Sequence, residues 1–294
     1  MKKRKKQQKM GASNYVIMAV LILHTIILFL LLGGSLSTAL KSQDCFDKSF
    51  WGLPDFDFGN FVRVIENFNF VTTRDGDQII ISLFPDIIVD TLLYTVGCAF
   101  LSALVPCLVA YVVAKFDCTF SKILYSIVII TMIVPIIGNQ PSMISVLMSL
   151  NLYDNIIGAW VMRANFLGMF FLIFVANFKN LPDGYREAAY IDGASEWKVL
   201  LKIMLPLVKT TIFTVMVIQF IDCWNDYNTP LLYLPSHYTI SYGVYVMSNT
   251  VVTGLSTAPI KMAACAIMII PTVILFICFK DKLMGNLSMC GIKG

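Results

Sequence analysis

Residues Tyr15 to Leu32 read YVIMAVLILHTIILFLLL, 18 residues interrupted only at His24 and closed by Gly33 and Gly34. A helix of that length matches the roughly 30 Å of hydrocarbon in a bilayer, so the stretch demands lipid on all sides. Six basic residues precede it (Lys2, Lys3, Arg4, Lys5, Lys6 and Lys9). A basic start, an apolar stretch and the small residues Ser37-Thr38-Ala39 also describe a cleaved signal peptide, but the run exceeds the usual apolar length of about 7–15 residues. An uncleaved first span is expected. The basic tail, residues 1–14, then reads as an orientation signal and a contact for anionic lipid, with no nucleic-acid role.

The rest of the chain agrees. Of 294 residues, 57% are apolar and only 14% are charged, with a mean hydropathy of +0.76. An average soluble domain carries about 25% charge, so an ordinary soluble enzyme is excluded. Further apolar runs cover about Val89 to Val113, Ile123 to Ile137, Ile156 to Phe178, Leu207 to Trp224 and Met262 to Phe279. Gly138-Asn139-Gln140-Pro141 interrupts the third before Ser142 to Leu150, as where a helix breaks against protein or a water-filled cavity. Pro106 and Pro271 lie inside the second and sixth, and Pro271 is a candidate kink. The eight cysteines form no C-x-x-C pair and mostly sit in or beside apolar runs, which predicts neither disulfides nor a metal site.

Charge sets the orientation. The polar stretch from Lys41 to Pro85 holds four basic and seven acidic residues, and residues 41–86 are expected to form a soluble external loop. Lys115 and Lys122 flank a short connection, and residues 179–207 form a longer basic segment. Lys280, Lys282 and Lys293 close the chain. Six spans with both termini cytoplasmic place 16 of the 22 basic residues inside, whereas five or seven spans would break the rule. The expected fold is all-α and polytopic, with residues 15–294 as one transmembrane domain.

Between the fourth and fifth runs stands Glu187-Ala188-Ala189-Tyr190-Ile191-Asp192-Gly193, then nine residues, then Ile203-Met204-Leu205-Pro206. Asp183 is placed to cap a short helix through Tyr190, the two alanines permit close approach of another surface, and Gly193 supplies a turn. A second helix from Ser195 to Met204 stops near Pro206. Such a helix-turn-helix is shaped to dock against a separate protein.

This E-A-A-x3-G-x9-I-x-L-P spacing resembles the EAA motif of the membrane subunits of binding-protein-dependent ABC importers. Ile191-Asp192-Gly193-Ala194, Trp224-Asn225-Asp226 followed by Pro230, and the ending Gly291-Ile292-Lys293-Gly294 resemble the sugar-importing, maltose-type branch. The chain departs from that pattern with Asp90 where Asn is commoner, with Asp222 as a second acid near Trp224, and with a longer external loop. The resemblance implies alternating access, a second permease subunit, two ATPase subunits and an extracytoplasmic solute-binding protein. It assigns coupling to the ATPase to Glu187, Ala188, Ala189, Asp192, Gly193, Leu205 and Pro206. The sequence contains no Gly-Lys dipeptide and so no phosphate loop of the G-x-x-x-x-G-K-[ST] type. ATP and magnesium are expected to be used by partner subunits, with no cofactor and no catalytic residue here.

Substrate-path candidates come from polar groups among apolar ones. A charge inside a span costs roughly 2.5–3.5 kcal/mol, so Arg163 faces a cavity, a partner acid or the interface. Trp224 beside Asn225, Asp222 and Asp226 offers a sugar an apolar face and acceptors, while an indole at that depth also suits the interfacial aromatic belt. Asp90 is a similar candidate. Other readings are an importer for a polyamine or a glycerol phosphate ester, and a gradient-driven transporter using Asp90 or Asp222 for coupling. A membrane scaffold would need an attached signalling domain.

Overall fold

The computed structural model describes residues 12–68, 70–74, 77–82, 84–134, 138–249 and 255–290; the basic residues 2–9, residues 135–137 of the third run and the ending 291–294 lie outside them. In chain order come α1 (Ala12–Ala39), α2 (Gln43–Lys48), α3 (Gly59–Asn67) and an antiparallel hairpin of β1 (Phe70–Arg74) and β2 (Asp77–Ser82). Next are α4 (Phe84–Lys115), α5 (Thr119–Ile133), α6 (Gln140–Ser149), α7 (Ile156–Arg163), α8 (Met169–Asn180), α9 (Gly184–Ile191) and α10 (Glu196–Val199). A π-helical turn (Leu200–Met204) leads to α11 (Leu205–Leu207), α12 (Lys209–Asn225), α13 (Asn228–Tyr233), α14 (Ile240–Asn249) and α15 (Ala258–Cys290). These form two compact units, Met1–Asn67 with Thr250–Ile267 and Phe68–Asn249 with Met268–Gly294.

In the first unit α1 is apolar and exposed all round through Leu32, the pattern of a helix whose solvent is lipid, while its last residues Thr38 and Ala39 are buried. The segment after it is better organised than a loop. Lys41 is fully buried, and its ammonium donates to the carbonyls of Ser49 (2.9 Å) and Phe50 (2.8 Å). The Asn60 amide donates to the carbonyls of Ala39 (3.0 Å) and Lys41 (2.7 Å), serving acceptors that the end of α1 leaves open. Ser42 caps α2 through the Cys45 N–H. The segment after α1 therefore holds two short helices, α2 and α3, tied to the end of α1 by polar side chains, and the hairpin follows in the second unit.

In the second unit α4 is the axle, packing against α12, α8 and α7. Its buried small residues Ala99, Ala103, Cys107 and Ala110 allow close approach, and Tyr111, Phe171, Phe174, Phe178 and Met204 fill the space beside them. Two glycines are sterically required. A Cβ on Gly97 would stand 2.1 Å from the Trp160 ring, and one on Gly158 would stand 2.0 Å from the Leu152 carbonyl oxygen. Because the second obstacle is backbone, Gly158→Ala is expected to destabilise the fold by about 1–3 kcal/mol. A lower melting midpoint of the purified protein measures this, and an unchanged midpoint refutes it.

Among the described residues, three helices are long and apolar enough to cross a membrane: Ser13–Ala39, Phe84–Lys115 and Ala258–Lys280. Glu196–Leu207 with Lys209–Asn225, bent by 70° at Val208, makes a fourth if counted as one span. Thr119–Ile133 and Met169–Asn180 are apolar but shorter. The third run breaks where expected, with Gly138 at φ 79° between α5 and α6. The fourth run is not one helix: α7 ends at Arg163, and α8 begins only after Gly168, whose φ of 146° disfavours a side chain. Arg163 therefore sits at a helix end and not inside a continuous helix. The sixth run continues as one helix through Pro271.

Candidate functional site

The EAA segment folds around a Schellman turn. The Gly193 N–H donates to Tyr190 O (3.0 Å) and the Ala194 N–H to Ala189 O (2.9 Å), with Gly193 at φ 73°. Asp192 is the C-cap residue of α9, its N–H donating to Ala188 O. The spacing from Ala189 to Gly193 is thus the fixed distance between the C3 and C′ positions of this motif. Ala189 is buried in the core, and Ala188 and Glu187 are exposed. Ile191 and Trp197 flank the turn at 86% and 72% exposure. Leu205 and Pro206 lie in α11, where the chain bends toward α12.

Asp183 does not cap α9: its backbone is already helical, and its carboxylate takes the Lys115 ammonium at 2.8 Å. That hydrogen bond and charge hold the Asp183 carboxyl below the usual range. Beside it is a clasp that local spacing does not reveal. The Arg186 guanidinium donates to Lys115 O (2.9 Å) and Tyr190 Oη (3.2 Å), pairs with Glu196 at 3.8 Å, and lies 4.9 Å from the Phe116 ring centroid. The Glu196 carboxylate accepts the hydroxyls of Tyr111 and Tyr190. The hydrogen bond to Glu196 raises the Tyr190 pKa. The C-terminal end of α4 is thereby fastened to both helices around Gly193. Arg186 stands directly before Glu187, but its partners on α4 are some 70 residues upstream.

The second cluster stands where α7, α12 and α4 meet. Arg163 donates to Asp226 Oδ2 at 2.7 Å and Asp222 Oδ2 at 3.3 Å. The Tyr94 hydroxyl donates to Asp226 Oδ2 (2.9 Å), and Asp226 Oδ1 accepts the N–H groups of Asn228 (3.0 Å) and Thr229 (3.1 Å). Arg163, Asp222, Asn225 and Asp226 line an open cleft of about 570 Å³. Arg163 also borders a cavity of about 260 Å³ lined by Ser102, Asn165 and Gln219. Of the alternatives for Arg163, the geometry selects a partner acid and a cavity together.

The other candidates divide. The Asn225 amide donates to Ile221 O (2.7 Å) and borders the cleft. Trp224 is buried at 5% exposure, stacks on Phe220, and spends its indole N–H on Met268 O (2.9 Å). It is a packing residue: residue 224 projects about 160° around α12 from Asp222 and about 100° from Asn225, which turns it away from the cleft. Asp90 is outside the Arg163 cluster and pairs with His237 at 3.1 Å. Sequence reasoning missed Tyr94, which lies one helical turn from Asp90 on α4 and gave no local signal. Among the described residues no His, Cys, Asp and Glu side chains group to hold a metal.

Comparison with known proteins accounts for this arrangement. Residues 103–284 match the family described as the binding-protein-dependent transport system inner membrane component, a region that contains the EAA turn and the residues that line the cleft, while Asp90 and Tyr94 precede it. The arabinooligosaccharides transport system permease protein AraQ of Halalkalibacterium halodurans is 27% identical over 196 residues, 66% of this chain and 69% of its own. The sulfoquinovosyl glycerol transport system permease protein SmoH of Agrobacterium fabrum is 24% identical over 199 residues, 66% and 68% of the two chains. The melibiose/raffinose/stachyose import permease protein MelC of Bacillus subtilis is 23% identical over 262 residues, 88% and 89%. A chain of a bacterial ABC transporter for the acidic polysaccharide alginate shares the fold with a TM-score of 0.73 at 21% identity, over 94% of this chain and 99% of that one. A family match over more than half of the chain, joined to its membrane-length helices, makes this protein an integral membrane protein that belongs to the binding-protein-dependent transport system inner membrane components.

Proposed function

We propose that the chain is a permease subunit of an ATP-driven importer in a bacterial plasma membrane, moving a saccharide delivered by an extracytoplasmic binding protein. The observation that carries this reading is the family match over residues 103–284, which encloses an exposed EAA turn. Relatives named for arabinooligosaccharides, melibiose and sulfoquinovosyl glycerol support a carbohydrate cargo. The related alginate importer was solved with a periplasmic protein carrying an alginate pentasaccharide, which supports delivery by such a protein. Residues 15–294 form one transmembrane domain with six spans and cytoplasmic termini, the shorter apolar helices α5 and α8 completing spans with their neighbours. A second permease subunit and two ATPase subunits complete the assembly, and ATP and magnesium act in the ATPases.

Glu187 and the exposed Ile191 and Trp197 meet the ATPase, and the Arg186 clasp passes its motion to α4, whose other end carries Tyr94 of the cleft. ATP-driven closure pushes the turn, α4 moves as a rigid lever, and the Arg163 cluster rearranges as the path opens outward. One arginine set against two carboxylates leaves the cluster with a net negative charge, which favours a neutral saccharide over an acidic one.

The test is purification of the tagged chain from its native membrane in mild detergent, with mass spectrometry of what remains bound. An ATPase and a second permease are expected, and recovery of the chain alone in several detergents rejects the reading. Within the assembled complex, Arg186→Ala removes charged hydrogen bonds worth about 2 kcal/mol. Uptake is expected to fall about thirtyfold while ATP hydrolysis continues, since 1.4 kcal/mol is a factor of ten. Unchanged uptake per ATP removes the clasp from the coupling path.

A further inference from the structure

At one end of the second unit, three lysines from three helices line a cavity of about 550 Å³. Lys115 closes α4, Lys122 stands in the first turn of α5, and Lys179 is in the last turn of α8. Their commitments differ. Lys115 is almost buried, held by Asp183 at 2.8 Å and by Leu181 O at 2.7 Å. Lys122 meets Asp117 at 3.0 Å, but both side chains are open to water, at 73% and 85% exposure, so the pair exchanges readily. Lys179 has no carboxylate partner among the described residues, and its ammonium stands 5.5 Å from the Tyr125 ring centroid. The acids that line the cavity, Asp117 and Asp183, are each met by one of the other two lysines.

The start of α5 adds to the positive field. Cys118, its N-cap, turns its thiol to Ser121 Oγ at 3.2 Å, and no acidic residue stands in the first turn, so the positive end of the α5 dipole adds to the lysine charge. On the face of α5 that lines the cavity, Tyr125, Met132 and Ile133 follow helical spacing and are exposed by 37, 46 and 74%. A compact basic cavity thus opens onto an apolar stripe that runs away from it along a helix in the membrane. That combination matches a molecule with a phosphate at one end and hydrocarbon at the other.

We propose that this cavity holds the headgroup of an anionic phospholipid, with the phosphate between Lys122 and Lys179 and the acyl chains along the α5 stripe. The site depends on the membrane-spanning reading and is independent of the cargo. The purified complex is placed in nanodiscs of equal phosphatidylglycerol and phosphatidylcholine, and the lipids retained on release are counted by native mass spectrometry. Phosphatidylglycerol is expected to be enriched roughly fivefold, the effect of one lysine beside an anionic headgroup. K122Q/K179Q should abolish the enrichment and K122R/K179R should keep it. Enrichment that survives the glutamine pair, or is lost in the arginine pair, overturns the site. Should the glutamine pair fail to assemble, K179Q alone is expected to lower the enrichment, and no change overturns the site. Glycerol 3-phosphate at millimolar concentration should leave the ratio unaltered, and displacement by it would reassign the cavity to a soluble phosphate ester. Co-purification of the ATPase reports on the importer reading separately.

Discussion

Gly193→Val is expected to abolish ATP-driven uptake while leaving the chain in the membrane at near-normal abundance. The residue adopts φ 73°, and a Cβ there would meet nothing within 4 Å. The penalty is therefore backbone strain and not collision, about 1–2 kcal/mol for an ordinary residue and more for a β-branched one. The strain falls on a turn whose N–H groups are spent on Tyr190 and Ala189. The cheapest relief is to open the Schellman turn and re-aim α9 against α10, which misplaces Glu187, Ile191 and Trp197 while the buried core around α4 is untouched. Asn visits the left-handed region more readily, so Gly193→Asn should retain much of the uptake. The measurement is uptake into proteoliposomes, normalised to assembled complex. Equal loss with Asn and Val would mean that the site needs the absence of a side chain against the ATPase, not the turn; normal uptake with Val would remove Gly193 from coupling.

That turn was legible because its rule is local: a Schellman cap fixes hydrogen bonds within six residues, and the motif spacing carries it. The first, second and sixth apolar runs were legible for the same reason, since length and composition decide whether a helix suits lipid. What escaped depends on contacts remote in sequence. Asp183 has the composition of a cap, yet Lys115 on α4 claims it. The run from Ile156 to Phe178 is mostly apolar, but α7 ends at Arg163, whose guanidinium pairs with two carboxylates some 60 residues downstream. Trp224 sits among polar neighbours in sequence and among apolar ones in space, because consecutive residues on α12 face different sides. Lys41 counted as a loop charge and proved to be a buried group closing carbonyls nearby.

Asp226→Ala should cause the largest loss of folded protein of any single change in the cleft, and Asp222→Ala almost none. Both acids touch Arg163, but the surroundings differ. The Asp226 side chain is 15% exposed, contacts Arg163 at 2.7 Å, accepts the Tyr94 hydroxyl and caps the N–H groups of Asn228 and Thr229. Its removal strands a guanidinium that is only 27% exposed, a loss of about 2–4 kcal/mol after discounting for the water that reaches it. Asp222 is 59% exposed at 3.3 Å, and such a pair is worth about 0–1 kcal/mol. Double substitution separates charge from packing. Asp226→Asn keeps an oxygen for the two N–H groups but presents an amide to Arg163, so it should destabilise alone; joined to Arg163→Met it should recover part of the loss, because no charge is then stranded. Melting midpoints of the four proteins measure the coupling, and strictly additive effects would show that Arg163 and Asp226 hold the fold independently. Asp222→Asn should instead act on cargo: with the exposed negative charge removed, acidic saccharides gain access relative to neutral ones, and an unchanged ratio would place the selective step outside this cleft.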